Sequence, residues 1–306
     1  MLLAAGLGTR LSPLTESLPK PVVPVANRPL ATFAIEHLAR VGTRTIVANT
    51  HPQAETVERI LAQGADPAVD LRFSRESILL GTGGGVRRAW SRFPDRNAPV
   101  VVMNGDTLFA PDLAKAYDLH CSRGAVATMI LRRTDDPERY GAVAIDRDGR
   151  VKSLLGSPKA EPSLRTCMFT GVHILAPEAS AALPESGCII RSAYRRWVDT
   201  GALVLGVVDD SSWADLGTLA EYHRVNLELA SGGIRWPGVM PRGGNLWDDA
   251  TAEACAGQHV ENSVVGSGVH LDDGVSLERC VVWPGTHVSS SATNAIVTPD
   301  YNLAIS

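Results

Sequence analysis

Lysine is nearly missing from this chain of 306 residues. Only Lys20, Lys115, Lys152 and Lys159 occur among 29 basic residues, so 25 are arginine. Basic residues are outnumbered by 33 acidic ones, and the net charge of −4 excludes the broad positive field that draws nucleic acid or an anionic membrane. A polyanionic ligand must then be attracted by a local cluster of cations. Cysteine is sparse too. Cys121, Cys167, Cys188, Cys255 and Cys280 are odd in number and never in C-x-x-C spacing. That excludes a disulfide framework and a cysteine zinc site and leaves most of them as small buried apolar residues. No apolar run approaches the ~18 residues of a membrane span. The N-terminus lacks a basic region and a long apolar run, which excludes a secretory signal. The cytoplasm is the expected location.

What is present is concentrated at the start. Leu2–Ala5 reads as a buried strand. Strands mostly run about five or six residues, so the natural strand is expected to begin upstream of Met1. Gly6-Leu7-Gly8-Thr9-Arg10 follows. Two glycines one residue apart let the backbone turn tightly and approach a ligand. Their amides suit an anion nest, and Arg10 adds a planar fork for phosphate oxygens. Pro19-Lys20-Pro21 fixes a lysine between two rigid residues. The spacing is neither a P-loop, since no Lys follows the second glycine, nor a dinucleotide fingerprint, since Leu11 stands at the third glycine position.

Along the chain, the spacing predicts helices over Pro29–Val41, Pro52–Gln63, Arg87–Arg92, Pro111–Cys121, Ile189–Thr200 and Leu219–Ala230. Strands are predicted over Thr45–Asn49, Leu71–Ser74, Val100–Met103, Val126–Arg132, Met168–Leu175 and Leu203–Val208, with a hairpin over Gly141–Leu155 turning at Asp148-Gly149. The fold class is α/β: a Rossmann-like, mostly parallel sheet flanked by helices, followed by a short left-handed parallel β-helix. The β-helix rests on Gly268-Val269, Gly274-Val275 and Cys280-Val281, which recur every six residues. It amounts to about two coils, expected to pack on the catalytic domain or on another subunit. The expected domains are a catalytic one over 1–231, a linker over 232–256 and the β-helix over 257–306. His259, His270 and His287 are expected at surface or stacking positions. Gly81-Thr82-Gly83-Gly84-Gly85, at a helix start, reads as a second loop that a flat ligand approaches closely. Asp106 follows the buried strand Val100–Met103, where open α/β sheets bind ligands, and is a magnesium candidate. Asp215, in Trp213-Ala214-Asp215-Leu216-Gly217-Thr218, has the type and context of a second metal carboxylate.

The run G-x-G-T-R, P-K-P and P-V-x-N-R-P resembles the sugar-1-phosphate nucleotidylyltransferases, or NDP-sugar pyrophosphorylases. Trp213, Asp215, Gly217, Thr218, Tyr222 and Asn226 complete a second pattern of that family. The layout with its hexapeptide tail resembles the longer members, such as mannose-1-phosphate guanylyltransferases. The resemblance implies an NTP and a sugar 1-phosphate as partners, Mg²⁺ as cofactor, and a homo-oligomer. It gives Ala5, Gly6, Gly8, Thr9, Glu76, Gly81, Thr82 and Asn104 to the nucleotide, and Gly141, Thr170 and Gly171 to the sugar. Arg10, Lys20 and Asp106 are the catalytic set, and Asp106 and Asp215 the metal ligands. Glu76 stands where thymidylyl relatives read the base with glutamine. A carboxylate only accepts, which suits the N–H and NH₂ edge of guanine and favours GTP. A thymidylyl- or uridylyltransferase, or a silent NDP-sugar-binding paralogue, is the alternative. One departure stands out. The family's Glu-Lys-Pro is here Gly156-Ser157-Pro158, and Lys159 or Arg165 would have to replace its lysine.

Overall fold

The computed structural model describes residues 1–305; Ser306, the end of the expected C-terminal segment, lies outside them. The chain forms two compact units. The first holds residues 1–7 and 31–213, and the second residues 8–30 and 214 onward. The boundary expected at 231 thus falls inside the second unit.

The first unit is built on a nine-stranded sheet. Its strands are β1 (Leu2–Leu3), β2 (Thr45–Thr50), β3 (Asp70–Arg75), β4 (Val100–Asn104), β5 (Ala127–Arg132), β6 (Ala142–Ile145), β7 (Val151–Leu154), β8 (Arg165–Leu175) and β9 (Val204–Val208). The order is β7-β6-β8-β4-β1-β2-β3, with β5 pairing β8 and β9. Short β1 is an interior strand, parallel to both neighbours, with Leu2 opposite Ala48 and Met103. The middles of its flanking strands, Ile46–Ala48 and Val100–Met103, are apolar runs, as strands covered on both faces require. β8 makes the sheet mixed, running antiparallel to β4, β5 and β6. Between Phe169 and His173 its register against β5 shifts, and Gly171 at φ 83° takes a left-handed conformation there. That irregularity lets one strand pair with β6 at its start and β4 at its end.

Helices α1 (Leu30–Arg40), α2 (Ala54–Gly64), α3 (Gly81–Trp90), α4 (Leu113–Arg123) and α5 (Arg195–Asp199) accompany the sheet. Val57 and Leu61, one turn apart, bury the inner face of α2. The start of α3 departs from the sequence reading, which began the helix at Arg87. Glycine disfavours helix, but packing overrides that preference here. A side chain on Gly83 would meet Pro184 Cγ at 2.5 Å, and one on Gly84 would meet the Glu185 carbonyl at 2.5 Å. The helix therefore lies directly on the 184–187 segment. The single helix expected over 189–200 is a wide π turn, Ile190–Tyr194, running into α5. It buries Tyr194 and Trp197 in the core with Val102, Met129 and Leu131.

In the second unit, residues 24–29 form a hairpin whose turn, Ala26 and Asn27, has φ of 46° and 63°, the twist that suits a two-residue connection. Helix α6 (Leu219–Ser231) begins on a Thr218 cap that accepts from the Glu221 amide. Its Asn226 accepts from the Ala26 amide at 2.8 Å and donates to the Tyr222 carbonyl. Tyr222 donates to the Pro24 carbonyl and accepts from Trp283 Nε1 at 3.0 Å. Asn27 reaches the Val265 carbonyl at 2.8 Å. The expected linker is structured: Leu246 bridges to Val264, and α7 (Asp249–Ala254) is capped by Asp248. Its mixed composition hid an apolar set that includes buried Trp236 and Leu246.

The tail is a parallel β-helix. β10 (His259–Glu261), β11 (Val264–Val265) and β12 (His270–Leu271) make one coil. β13 (Ser276–Glu278), β14 (Val281–Val282) and β15 (His287–Val288) make the next, in parallel register with it. β16 (Ala292–Thr293) and β17 (Ala295–Val297) start a third, and β18 (Asn302–Ala304) closes antiparallel on β17. Inward Val265, Leu277, Val282 and Val297 form its core, while His259, His270 and His287 face outward. No helix among the described residues is long and apolar enough to cross a membrane.

Candidate active site

In the first unit the candidate residues gather at the carboxyl ends of β1, β2, β3 and β4. The Ala4 amide donates to Asn49 Oδ1 at 2.8 Å. Asn49 Nδ2 in turn donates to Glu76 Oε1 at 2.7 Å, and the Leu80 amide donates to Glu76 Oε2 at 2.9 Å. This chain of bonds fixes both the exit of β1 and the loop before α3. Glu76 is buried, with each carboxylate oxygen engaged by the protein. Sequence reasoning missed Asn49; the signal was a polar residue at the end of an otherwise buried strand.

Ala5 is buried next to this network, and Gly6 is exposed. A side chain on Gly6 would meet nothing within 4 Å. The two glycine loops thus differ. The 81–85 glycines accommodate the protein's own chain, whereas Gly6 faces open space. Gly81 has φ of 71°, and a side chain there would meet the Gly187 carbonyl at 2.8 Å. Thr82 Oγ1 accepts from the Ile189 amide at 2.9 Å.

At the end of β4, the Gly105 amide donates to the Leu3 carbonyl at 2.9 Å, which turns the chain and leaves Asp106 half-buried just beyond. Asn104 packs against the bare α-carbon of Gly171. Thr170 is buried. Its hydroxyl donates to the Ile130 carbonyl at 2.7 Å, and its carbonyl accepts from Trp213 Nε1 at 3.1 Å. The Trp213 ring meets Tyr140 edge-on, with centroids 5.0 Å apart, which holds the turn into Gly141, at φ 91°. Where the family lysine is missing, Leu154 and Ser157 close a tight turn through paired amide–carbonyl bonds. Lys159 and Arg165 are both exposed, and a third cation, Arg195, donates to the Ser157 carbonyl at 3.0 Å.

In the second unit the opening segment folds on itself. Gly8 has φ of 64°, and a side chain there would lie 2.7 Å from Lys20 Cβ. Only glycine fits, so Gly8-Thr9-Arg10 and Pro19-Lys20-Pro21 are one folded piece. Lys20 is 5 % exposed. Thr9 opens a short 3₁₀ turn that presents Arg10 to solvent. A side chain on Gly217 would meet Asp215 Oδ2 at 2.7 Å and Arg10 Nη2 at 2.9 Å. The glycine of W-A-D-L-G-T is thus the space in which an arginine and a carboxylate come side by side.

A glycine turn in open space and a carboxylate beyond a buried strand mark the first unit as that of an α/β protein that handles phosphorylated ligands. The second unit, by itself, holds an arginine beside a carboxylate, and a buried lysine. The chain belongs to the nucleotidyl transferase family, whose model matches residues 1–232. It is 29 % identical over 294 residues to a mannose-1-phosphate guanylyltransferase of Mycobacterium tuberculosis, covering 95 % of this chain and 81 % of the relative. It is 28 % identical over 315 residues to a UTP–glucose-1-phosphate uridylyltransferase of Synechocystis, covering 95 % and 81 %. The crystal structure of HddC from Yersinia pseudotuberculosis complexed with GMP-PN shares the fold, at a TM-score of 0.60 and 24 % identity over 74 % of this chain and 96 % of that one.

Proposed function

We propose that this protein transfers a nucleoside monophosphate from an NTP, with GTP preferred, to a sugar 1-phosphate such as mannose 1-phosphate or a related hexose or heptose. An oxygen of the sugar phosphate attacks the α-phosphorus, the bond to the β-phosphate breaks, and pyrophosphate leaves with the electron pair. The nucleophile is already an anion, so alignment and charge neutralisation are what the protein must supply. The observation that carries the reading is the folded opening segment: Gly8 and Gly217 leave the room in which Lys20 and Arg10 lie.

In this reading the Gly6–Thr9 backbone holds the triphosphate, Arg10 balances charge on the leaving pyrophosphate, and Lys20 bridges the attacking and α-phosphates. Asp106 and Asp215 offer hard oxygen donors, the set that fits Mg²⁺. When bound, that ion neutralises phosphate charge. Asn104 lies on the nucleotide side, and Thr170, Gly171 and Gly141 shape the sugar side, with Arg195 in place of the missing lysine. The guanine preference is supported by relatives named guanylyltransferase; the uridylyl relative keeps UTP as the second candidate. Because its oxygens are engaged by Asn49 and Leu80, Glu76 serves the nucleotide as a positioning residue for the loop before α3. We place the enzyme in the cytoplasm, as a homo-oligomer.

The test is pyrophosphate release with Mg²⁺ across GTP, UTP, dTTP, ATP and CTP, crossed with mannose, glucose, N-acetylglucosamine and heptose 1-phosphates. Release with GTP and one sugar is expected. Silence throughout, with tight binding of an NDP-sugar, would establish instead a silent regulatory paralogue, the reading that the missing Glu-Lys-Pro lysine favours.

A further inference from the structure

We infer that the β-helix carries a site for a divalent first-row transition metal ion, built from His270, Asp272 and His287. β12 and β15 lie in parallel register with His270 opposite His287. Residues paired in neighbouring coils point the same way, about 4.8 Å apart. The two imidazoles therefore stack outward, with centroids 5.1 Å apart and planes tilted by 46°. Both turn the same atom to one carboxylate oxygen. His287 Nε2 is 2.7 Å from Asp272 Oδ1, and His270 Nε2 is 3.6 Å from it. The three ligand atoms all lie within 4.8 Å of one another.

That geometry is close to what a metal requires. Zinc–nitrogen and zinc–oxygen bonds of about 2.0–2.1 Å in a tetrahedron place ligand atoms about 3.3 Å apart. The two His–Asp separations, 2.7 and 3.6 Å, straddle this value, and all three atoms lie within 4.8 Å, so small side-chain rotations within rotamer wells would complete the set. The side chains are 74 %, 43 % and 61 % exposed for His270, Asp272 and His287. The remaining positions are thus open to water, as in a three-ligand site. Two imidazoles and one carboxylate select Zn²⁺, Ni²⁺ or Cu²⁺ over Mg²⁺, which prefers oxygen. The site is therefore chemically distinct from the carboxylates proposed for Mg²⁺, and it stands whether or not the transferase reading does. A bound ion would bolt the first coil of the β-helix to the second.

The experiment uses the full chain, stripped with chelator and kept reduced. Zn²⁺ is titrated by calorimetry in excess Mg²⁺, which occupies the oxygen sites, and Cu²⁺ spin resonance is recorded separately. One zinc per chain and nitrogen hyperfine structure from two imidazoles are expected. His270→Ala/His287→Ala should weaken that zinc at least about a hundredfold and remove the nitrogen signal. Its exposed positions keep the fold, checked by an unchanged melting midpoint without metal. His259→Ala, on a different face of the coil, should change nothing. Zinc binding that the double variant leaves intact, a copper spectrum without nitrogen, or an equal loss in His259→Ala would each overturn the site.

Discussion

Gly84→Ala separates packing from ligand binding in the 81–85 loop. In an open helix the change would stabilise by about 1 kcal/mol. Here the new methyl would lie 2.5 Å from the Glu185 carbonyl and 2.9 Å from Ser186 Cα. Both are backbone atoms that cannot swing aside. Overpacking of this kind costs about 1–3 kcal/mol. If the 184–187 segment backs away, it also strains the Gly83 amide to Gly187 carbonyl bond of 2.8 Å and the Gly187 amide to Leu80 carbonyl bond of 2.7 Å, each worth about 1 kcal/mol. The net expectation is a loss of about 2 to 3 kcal/mol. With a urea slope of about 1–3 kcal/mol/M, the unfolding midpoint should fall by about 1 M. Gly6→Ala is the counterpart. It meets nothing within 4 Å, so stability should stay within about 0.5 kcal/mol, while nucleotide turnover falls at least about tenfold, or about 1.4 kcal/mol of transition-state stabilisation. A Gly84→Ala chain as stable as its parent would refute the packing argument. Unaltered turnover in Gly6→Ala would refute the phosphate role of the first loop.

Three further outcomes follow from the described contacts. Asp106→Asn should lose most turnover and keep its unfolding midpoint; near-parental activity removes Asp106 from the metal site. Asn226→Ala strands the buried Ala26 amide that it accepts from and should cost about 1–3 kcal/mol by urea unfolding; no loss would mean the hairpin is held by other contacts. His173 is buried against the Tyr194 hydroxyl at 2.7 Å, and burial pushes its pKa down to about 3. Below the unfolded value of about 6.5, the unfolded chain takes up a proton that the folded chain refuses. Stability therefore falls as pH falls from about 6.5 toward 3, by about 1.4 kcal/mol per pH unit. Urea unfolding near pH 7 and pH 5 should show a shallower loss in His173→Gln; equal pH slopes would contradict this.

The sheet was legible because Ile46–Ala48 in β2 and Val100–Met103 in β4 are continuous apolar runs, and the hairpin because Asp148-Gly149 turns tightly. The start of α3 was hidden, since glycine argues against helix until the 184–187 segment that covers it is seen. The switch of β8 from β6 to β4 turns on the irregularity at Gly171, which no periodicity announces. At the site, Arg10, Lys20 and Asp215 stood out by type and spacing. Asn49 and Arg195 did not, because their roles arise from strands and turns distant in sequence. The engagement of Glu76 by Asn49 and Leu80 was invisible for the same reason.

The anchoring of residues 8–30 has a consequence for how the protein is made. Pro24 and Ala26 are held by Tyr222 and Asn226, at separations of 198 and 200 residues, and Glu16 accepts from Tyr301, 285 residues on. At about 5–20 residues per second, the ribosome releases these partners roughly ten seconds to a minute after the opening segment itself. Contacts this distant are also slow to close. The segment that bears Arg10 and Lys20 is synthesised well before the partners that anchor it, so a nascent chain halted before Trp213 has the strands of its sheet but none of the contacts that hold residues 16, 24 and 26.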